Sequence, residues 1–366
     1  MATAEEVATR LAFEFLRMGR YSASTGPVEV PDLARAVAVA APDYEEIAVF
    51  ADRVSEFSGL SVQSVGFEEG RDNPKVHIYL TRGSAREIRA LPSEIDDVPV
   101  LAHKMGAISI RPEAASAATN RGNIFERNGR ICCGTSCGPT SEGSSGTLGA
   151  IVTLGQGHDL FLLSNNHVFA GCNHVPHNQP ILAPSSHDGR PDARAPHEVG
   201  RHYAISPLTS GDPFFVVPSN GDMALARASD PDAISSWQGD EHSGYDTPTD
   251  LIEPLSLMGV KKTGRTTGLT FGVVEARVTT PMPVTYSAKH FKGVVWFQDV
   301  WTIRASKTQP FALPGDSGSL VVSADGTRSL GLVFAASPTG EYAWMIPLSA
   351  IRGAFANLNL VSGHGV

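Results

Sequence analysis

The stretch PGDSGSLVV, residues 314–322, decides how the rest of the chain is interpreted. It places Ser317 on a tight turn between two glycines, directly before an apolar run that is typical of a strand. Glycines on both sides let the backbone adopt such a turn without Cβ clashes. Acyl transfer needs a nucleophile presented in this way, with backbone N–H groups aimed at the developing oxyanion. Ser317 is therefore a candidate nucleophile, and the alternative is a simple polar turn.

Two further stretches carry residues that suit a nucleophilic serine. LLSNNHVF, residues 162–169, runs from an apolar strand into a polar turn that bears His167. An imidazole, with an ordinary pKa of about 6.5, accepts and returns a proton near neutral pH. NGDMALA, residues 220–226, sets Asp222 before small and apolar residues. A buried aspartate is unusual unless it is paired, and the alternatives are a solvated loop histidine and a turn aspartate.

The order of the three residues raises their joint significance. Asp222 follows His167 by 55 residues, and Ser317 follows Asp222 by 95. Two other families of serine hydrolases have the orders Asp, His, Ser and Ser, Asp, His, and neither matches. No GxSxG elbow surrounds Ser317 either.

Together the motifs resemble the trypsin/chymotrypsin-like serine proteases over roughly residues 145–358. The resemblance implies that Ser317 is the nucleophile, His167 the base and Asp222 the group that orients the base. It also implies an oxyanion hole made by the N–H groups of Gly315 and Ser317. The implied fold consists of two six-stranded β-barrels, with the histidine and aspartate in the first barrel and the serine in the second.

The stretch KTGRTTG, residues 262–268, resembles the GRTTG segment of the streptogrisin/α-lytic branch of that family. In that branch the arginine pairs with the aspartate before the nucleophile. The resemblance therefore implies an ion pair between Arg265 and Asp316 that supports the oxyanion loop. The alternative places Arg265 in a solvated hairpin.

Composition agrees with a β-rich fold. The chain of 366 residues has 36 Gly and 25 Pro and is only 18% charged, which favours many turns and short strands over a helical bundle. From residue 147 onward, short apolar runs alternate with turn residues, so residues 147–366 are predicted to form the all-β double-barrel protease domain. A helix is predicted near its end, at 348–358.

The first part of the chain has a different character. Helical spacing of apolar residues at 3–18 and 43–57, followed by strand-like runs, predicts a small α+β domain over residues 1–112 with a regulatory or targeting role. Residues 113–146 are rich in Gly, Ser, Ala and Asn and are predicted to be a linker or an irregular segment.

Substrate preference is less legible. A pocket for a Lys or Arg side chain usually needs an acid about six residues before the nucleophile, and QPFAL, residues 309–313, has none. An apolar or small residue is therefore expected at P1, with Glu341 as the alternative acid. The residues expected to bind substrate are Phe311, Phe334, Ala335 and Ala336.

The remaining features limit the possible binding partners and the cellular location. The formal net charge of −9 argues against nucleic acid, and no apolar window reaches 18 residues, so no membrane association is expected. The first 20 residues lack a secretory-signal pattern, and the arginine-rich, lysine-poor composition suggests a bacterial source, so a bacterial cytoplasmic protein is expected. The expected partners are a protein or peptide substrate and a regulatory protein bound by the N-terminal domain.

Four cysteines in a chain of this length do not make a disulfide framework. Their spacing, together with that of two nearby histidines, is only loosely metal-like, so reduced thiols are favoured and no metal or other cofactor is predicted. The residues of this alternative zinc site are Cys132, Cys133, Cys137, Cys172, His174 and His177.

Two classes of function remain open. One is a serine endopeptidase that works through an acyl-enzyme intermediate. The other is a catalytically silent binding or scaffold protein on a protease fold, because fold alone does not confer activity. The complete set of motifs favours the endopeptidase.

Overall fold

The computed structural model describes residues 2–21, 59–110, 122–141, 145–189, 194–213, 220–306 and 309–366. The predicted helix at 43–57 lies outside these residues. Among these residues, helices are few and short, apart from the first. They are α1 (Ala4–Arg17), α2 (Ala85–Ala90), α3 (Asn166–Phe169) and α4 (Leu348–Ala354), with a 3-10 turn at Pro231–Ala233.

Strands make up most of the remaining structure. In chain order they are β1 (Val62–Phe67), β2 (Val76–Leu80), β3 (Glu94–Ile95), β4 (Val98–Lys104), β5 (Ser109–Ile110), β6 (Glu126–Arg127), β7 (Arg130–Cys133), β8 (Ser136–Pro139), β9 (Gly146–Thr147), β10 (Ala150–Leu154), β11 (Phe161–Ser164), β12 (Pro180–Ala183), β13 (His197–Ser206), β14 (Met223–Ala228), β15 (Ile234–Gln238), β16 (Tyr245–Asp246), β17 (Gly259–Gly264), β18 (Gly268–Val278), β19 (Met282–Ser287), β20 (Lys292–Phe297), β21 (Val300–Ala305), β22 (Leu320–Ser323), β23 (Ser329–Ala336), β24 (Tyr342–Pro347) and β25 (Leu358–Leu360).

Six of these strands close into a barrel. The order is β17-β22-β23-β24-β21-β18, and β17 pairs again with β18 to complete the circle. The long central strands have almost every side chain buried, as in β23 and β24. A closed barrel leaves no unpaired edge among its own strands. Ser317 lies just before β22, so this barrel positions the candidate nucleophile.

The second large sheet contains the other two candidate residues. Its eight strands run in the order β25-β10-β11-β14-β13-β12-β8-β9. His167 follows β11 and Asp222 precedes β14, and these two strands are antiparallel neighbours. The end of one strand lies beside the start of its antiparallel neighbour, so the pairing brings the two residues together.

One hydrophobic core joins the sheet and the barrel. Leu163 and Leu225 of the eight-stranded sheet pack in the same cluster as Leu320 and Leu332 of the barrel. The predicted all-β double-barrel architecture is confirmed. The predicted C-terminal helix ends early, because Phe355 adopts an extended conformation after Ala354 and the chain then enters β25 beside β10.

The N-terminal segment begins with a well-capped helix. The Thr3 hydroxyl accepts a hydrogen bond from the Glu6 N–H, and the Glu6 carboxylate accepts one from the Thr3 N–H. This reciprocal capping satisfies two donors that the first turn of a helix leaves free. The apolar face of α1, with Leu11 and Phe15, packs on β1 and β2, so the predicted helix at 3–18 is confirmed.

The strands of the N-terminal segment continue the sheet of the closed barrel. β1 pairs with β18 of the barrel through Phe67 and Arg277, and β2, β4 and β3 follow outward from β1. β5 pairs in parallel with β19. The predicted domain limit near residue 112 stays a prediction, but the hydrogen bonds join residues 59–110 directly to the barrel.

The linker predicted at 113–146 was wrong for its described residues. β6, β7 and β8 lie within that range and β9 begins at its last residue, and β8 and β9 belong to the eight-stranded sheet. The composition suggested a loop because Gly and Ser are frequent, but Ile131, Cys133 and Cys137 are fully buried there. Small residues here allow close packing. In the described residues, no helix is long and apolar enough to cross a membrane.

Candidate active site

His167 is held on a short helical turn at the end of a buried strand. The amide of Asn165 donates to the backbone oxygen of Asp222 at 2.6 Å, and that of Asn166 donates to the Ser206 oxygen at 2.8 Å. Both asparagines are buried. Their side chains fix the backbone directly before His167, so the imidazole leaves the turn in a defined direction.

Asp222 orients the imidazole. Its Oδ2 lies 2.5 Å from Nδ1 of His167, and its Oδ1 accepts the backbone N–H of His167 at 3.0 Å. The side chain of Asp222 is fully buried. An ionised carboxylate can only accept, so Nδ1 carries the proton and Nε2 is left with its lone pair. This is the tautomer that a general base needs.

Ser317 and His167 line the same cleft, which has a volume of about 550 Å³. Gly315 and Gly318, on either side of the serine, have positive φ values of 97° and 94°, which L side chains rarely adopt. The Ser317 hydroxyl donates to the backbone oxygen of Phe334 at 3.4 Å. Within the described residues it forms no hydrogen bond with His167, and such catalytic contacts are often loose before substrate binds.

Two backbone donors beside Ser317 are unused. Among the described residues, no hydrogen bond takes the N–H of Gly315 or of Ser317. The Pro314 carbonyl accepts the Thr266 hydroxyl at 2.7 Å, and the Gly315 carbonyl accepts the Thr147 hydroxyl at 2.9 Å. The C=O and N–H of a trans peptide point in opposite directions. Pinning the Pro314 oxygen to Thr266 therefore turns the Gly315 N–H away from Thr266.

The ion pair predicted between Arg265 and Asp316 was wrong, because Lys262 takes that place. Lys262 Nζ lies 3.6 Å from Asp316 Oδ2, and both side chains are fully buried. Asp316 also accepts the backbone N–H groups of Thr266, at 2.8 Å, and Leu313, at 2.9 Å. The stretch 262–268 does contact the loop before Ser317, through its lysine and its backbone.

Arg265 instead pairs with Asp188. Its Nε and Nη2 lie 2.6 and 3.0 Å from the two carboxylate oxygens of Asp188, and both side chains are buried. The guanidinium also packs against Gly315, where a Cβ would collide with it. Burial raises the pKa of Asp188, but hydrogen bonds from Arg265 and Ser136 outweigh it and leave that pKa below its ordinary value.

The cleft wall includes only two of the four predicted substrate-binding residues. Ala335 and Ala336 line the cleft, whereas Phe311 and Phe334 are fully buried in hydrophobic clusters and are absent from the wall. In a strand, neighbouring side chains point to opposite faces. Glu341 does not line the cleft either. Apart from His167, none of the described residues that line it carries an acidic or basic side chain.

Three features of the site were not predicted from the sequence. The stretch 262–268 gave no role for Lys262. No motif contains Tyr286, although its hydroxyl donates to Asp222 Oδ2 at 2.8 Å. Ala107, Ser109 and Ile110 of the N-terminal segment lie along the cleft. Only the register of β19 and β5, which the sequence does not reveal, brings these residues to the site.

The four cysteines are buried and no disulfide joins them, and Cys172 lines the cleft. Burial raises the pKa of the Cys132 thiol to about 12. Among the described residues, one group of three side chains lies close enough to ligate a metal: His77, His103 and Glu275. None of the three belongs to the alternative zinc site considered from the sequence. His77 Nδ1 and His103 Nε2 are 2.8 Å apart in almost coplanar rings, which is the geometry of a direct hydrogen bond.

No protein-family model matches the chain, and no curated protein does. Solved structures do match. One is a glutamic acid specific serine protease, 19% identical, with a TM-score of 0.43 over 63% of this chain and 100% of that one. Protease A of Thermobifida fusca is 16% identical, with a TM-score of 0.43 over 63% and 98%. Cellulomonas bogoriensis chymotrypsin is 17% identical, with a TM-score of 0.42 over 63% and 98%.

One closed barrel presents the serine, and a second, curled sheet presents the histidine and the aspartate. This is the chymotrypsin-like fold that the order of the motifs predicted.

Proposed function

We propose that this protein is a serine endopeptidase, with Ser317 as nucleophile, His167 as general base and Asp222 as the residue that orients the base. The observation that carries the proposal is the pair of hydrogen bonds that a fully buried Asp222 accepts from His167, in a cleft that Ser317 also lines. A buried carboxylate costs free energy unless it is paired, and here its partner is an imidazole at a cleft.

The chemistry follows from these positions. Rotation about the Cα–Cβ bond of Ser317 moves its hydroxyl from the Phe334 oxygen toward Nε2 of His167. As Oγ attacks the scissile carbonyl, Nε2 takes its proton, and the N–H groups of Gly315 and Ser317 receive the oxyanion. The imidazolium then protonates the leaving amine. Water repeats the sequence on the acyl-enzyme and releases Ser317.

The cleft wall supports an uncharged P1 residue. A buried charge needs a partner, and the described lining residues offer no acid for a Lys or Arg side chain. Ala335, Ala336 and Leu313 form an apolar wall beside Ser317. We therefore propose small or apolar P1 residues and a protein or peptide substrate.

A catalytically silent scaffold is the second candidate. The observation in its favour is the hydrogen bond of the Ser317 hydroxyl to the Phe334 oxygen rather than to His167. A library of peptides incubated with the purified full chain separates the two, beside a Ser317→Ala control. An endopeptidase cleaves after small or apolar residues and the control does not. If neither the wild type nor the Ser317→Ala control cleaves any peptide, the result would favour the scaffold.

A further inference from the structure

A tyrosine that belongs to no catalytic motif contacts the candidate triad. The Tyr286 hydroxyl donates to Oδ2 of Asp222 at 2.8 Å, the same oxygen that lies 2.5 Å from His167 Nδ1. Tyr286 is almost completely buried. Burial and the charge of Asp222 raise the pKa of its phenol well above 10, so the phenol stays protonated and donates to the carboxylate.

This donor restricts the carboxylate. Without it, and among the described residues, Oδ2 of Asp222 would accept only from the imidazole, and Oδ1 only from the backbone N–H of His167. A third hydrogen bond from a fixed phenol opposes rotation of the carboxylate about its Cβ–Cγ bond. The carboxylate in turn sets the plane of the imidazole, whose Nε2 must meet the serine hydroxyl.

The strand that carries Tyr286 is supported by the N-terminal segment. Tyr286 lies on β19, in register with Ile110 of β5, and Thr285 is in register with Ser109. The N–H of Thr285 donates to the Ile108 oxygen at 3.4 Å. The edge of β19 beside the cleft is therefore completed by residues that come from before residue 111.

Gln63 links this edge to the N-terminal sheet. Its Nε2 donates to the Pro283 oxygen of β19 at 2.6 Å, and its Oε1 accepts the Ile108 N–H at 3.2 Å. Gln63 lies on β1 and is 1% exposed. A buried amide that bonds two backbone groups holds both in place, because breaking either bond would leave a buried polar group unpaired.

We infer that Tyr286 is a positioning residue for the Asp222–His167 pair, and that Gln63 and residues 108–110 belong to the catalytic unit because they hold the strand that presents Tyr286. This inference rests on the proposed peptidase function. It gives the N-terminal segment a constant structural part in catalysis, where the sequence predicted a regulatory or targeting domain.

Tyr286→Phe tests the first half of the inference in the full chain. The substitution keeps the ring and removes the donor. We expect kcat to fall about tenfold with little change in KM. The acidic limb of the pH profile of kcat/KM should move to higher pH, because a carboxylate that loses a donor holds the imidazolium more strongly.

Tyr79→Phe is the matched control. Tyr79 is fully buried and its hydroxyl also donates to a buried carboxylate, that of Glu275, at 2.8 Å. The control should lose thermal stability and keep both kcat and the pH profile. An unchanged kcat and pH profile in Tyr286→Phe would overturn the role of Tyr286.

Gln63→Leu tests the second half. It should lower kcat about fivefold in the wild-type background and less than about twofold in the Tyr286→Phe background, because the glutamine acts through the tyrosine. An effect of equal size in both backgrounds would overturn the link from Gln63 to Tyr286.

Failure of the proposed function gives a different result. A wild-type chain that neither cleaves peptides nor reacts with a fluorophosphonate would refute the peptidase. The proton on His167 Nδ1 is then still observable by NMR as a low-field resonance. Tyr286→Phe should shift that resonance, and Tyr79→Phe should not. An unshifted resonance would overturn the inference independently of activity.

Discussion

Lys262 Nζ lies 3.6 Å from Asp316 Oδ2, and neither side chain reaches solvent. Asp316 directly precedes the candidate nucleophile, so this buried ion pair lies beneath the loop that carries Ser317. Burial lowers the pKa of Lys262, and the charge of Asp316 opposes that shift. Removing one member of a buried pair leaves the other charge without a partner.

Lys262→Met should therefore destabilise the protein by about 3–5 kcal/mol. The cost should be smaller in an Asp316→Asn background, where no carboxylate is left unpaired. Urea unfolding of the wild type, both single variants and the double variant measures the coupling between the two residues. Equal costs of Lys262→Met in both backgrounds would show that the pair does not support the loop.

Arg265→Ala should lower stability as well as turnover. Its guanidinium bonds both carboxylate oxygens of a buried Asp188, so the substitution removes the cation that pairs with that carboxylate. We expect a loss of about 3–5 kcal/mol in the free energy of unfolding.

The matched control for Arg265→Ala is Arg227→Ala. Arg227 pairs with Asp159 at 2.8 Å, but the two side chains are 58% and 60% exposed. Exposed ion pairs contribute about 1 kcal/mol or less. Equal losses of stability in the two variants would contradict the assignment of Arg265 to a buried pair.

Acid should weaken the packing of the N-terminal strands through His77. Burial lowers the pKa of His77 to about 4 in the folded protein, despite the opposing charge of Glu275. The groups around it are Glu68, Glu275, His103, Lys75 and Arg304. In the unfolded chain the pKa returns to about 6.5. The unfolded state thus binds an extra proton as pH falls from about 6.5 toward 4, and stability is lost over that range.

The contribution of His77 should be about 2 kcal/mol between pH 7.5 and pH 5. A His77→Gln variant removes the titrating group. Its free energy of unfolding, measured in urea at both pH values, should fall by about 2 kcal/mol less than that of the wild type. Parallel losses in the two proteins would show that His77 is not held neutral.

Ala336→Val should narrow substrate choice. Ala336 lines the cleft beside Ser317, and two added methyl groups occupy space that a large P1 side chain would need. We expect kcat/KM for a Phe P1 peptide to fall at least tenfold more than that for an Ala P1 peptide, since pocket changes of one or two carbons are worth about 1–3 kcal/mol. A uniform fall would place the P1 side chain elsewhere.

Local motifs explain which parts of the site could be predicted. Short recognisable stretches beside strand ends contain Ser317, His167 and Asp222. The order of these three residues alone separates three families of serine hydrolases. The partners of buried charged residues were harder to predict from the sequence. Arg265 meets Asp188, which lies 77 residues away in sequence, through the pairing of distant strands, so the local stretch could not reveal it.

The same limit applies to Tyr286 and to the segment at 113–146. Tyr286 reaches Asp222 only because β19 forms a hairpin with β20 and pairs with β5 on its other edge. Gly and Ser predicted a loop at 113–146, but strands of small residues fit where β8 packs against α3, and burial outweighs local preference there.

The most direct test of the central claim is covalent labelling of the full chain with a fluorophosphonate, with the adduct located by mass spectrometry. The proposed mechanism predicts one adduct, on Ser317, formed rapidly in the wild type, slowed at least a hundredfold in His167→Ala and absent in Ser317→Ala. A folded wild-type protein that stays unlabelled, or that is labelled at another residue, would contradict the proposal that Ser317 is an activated nucleophile.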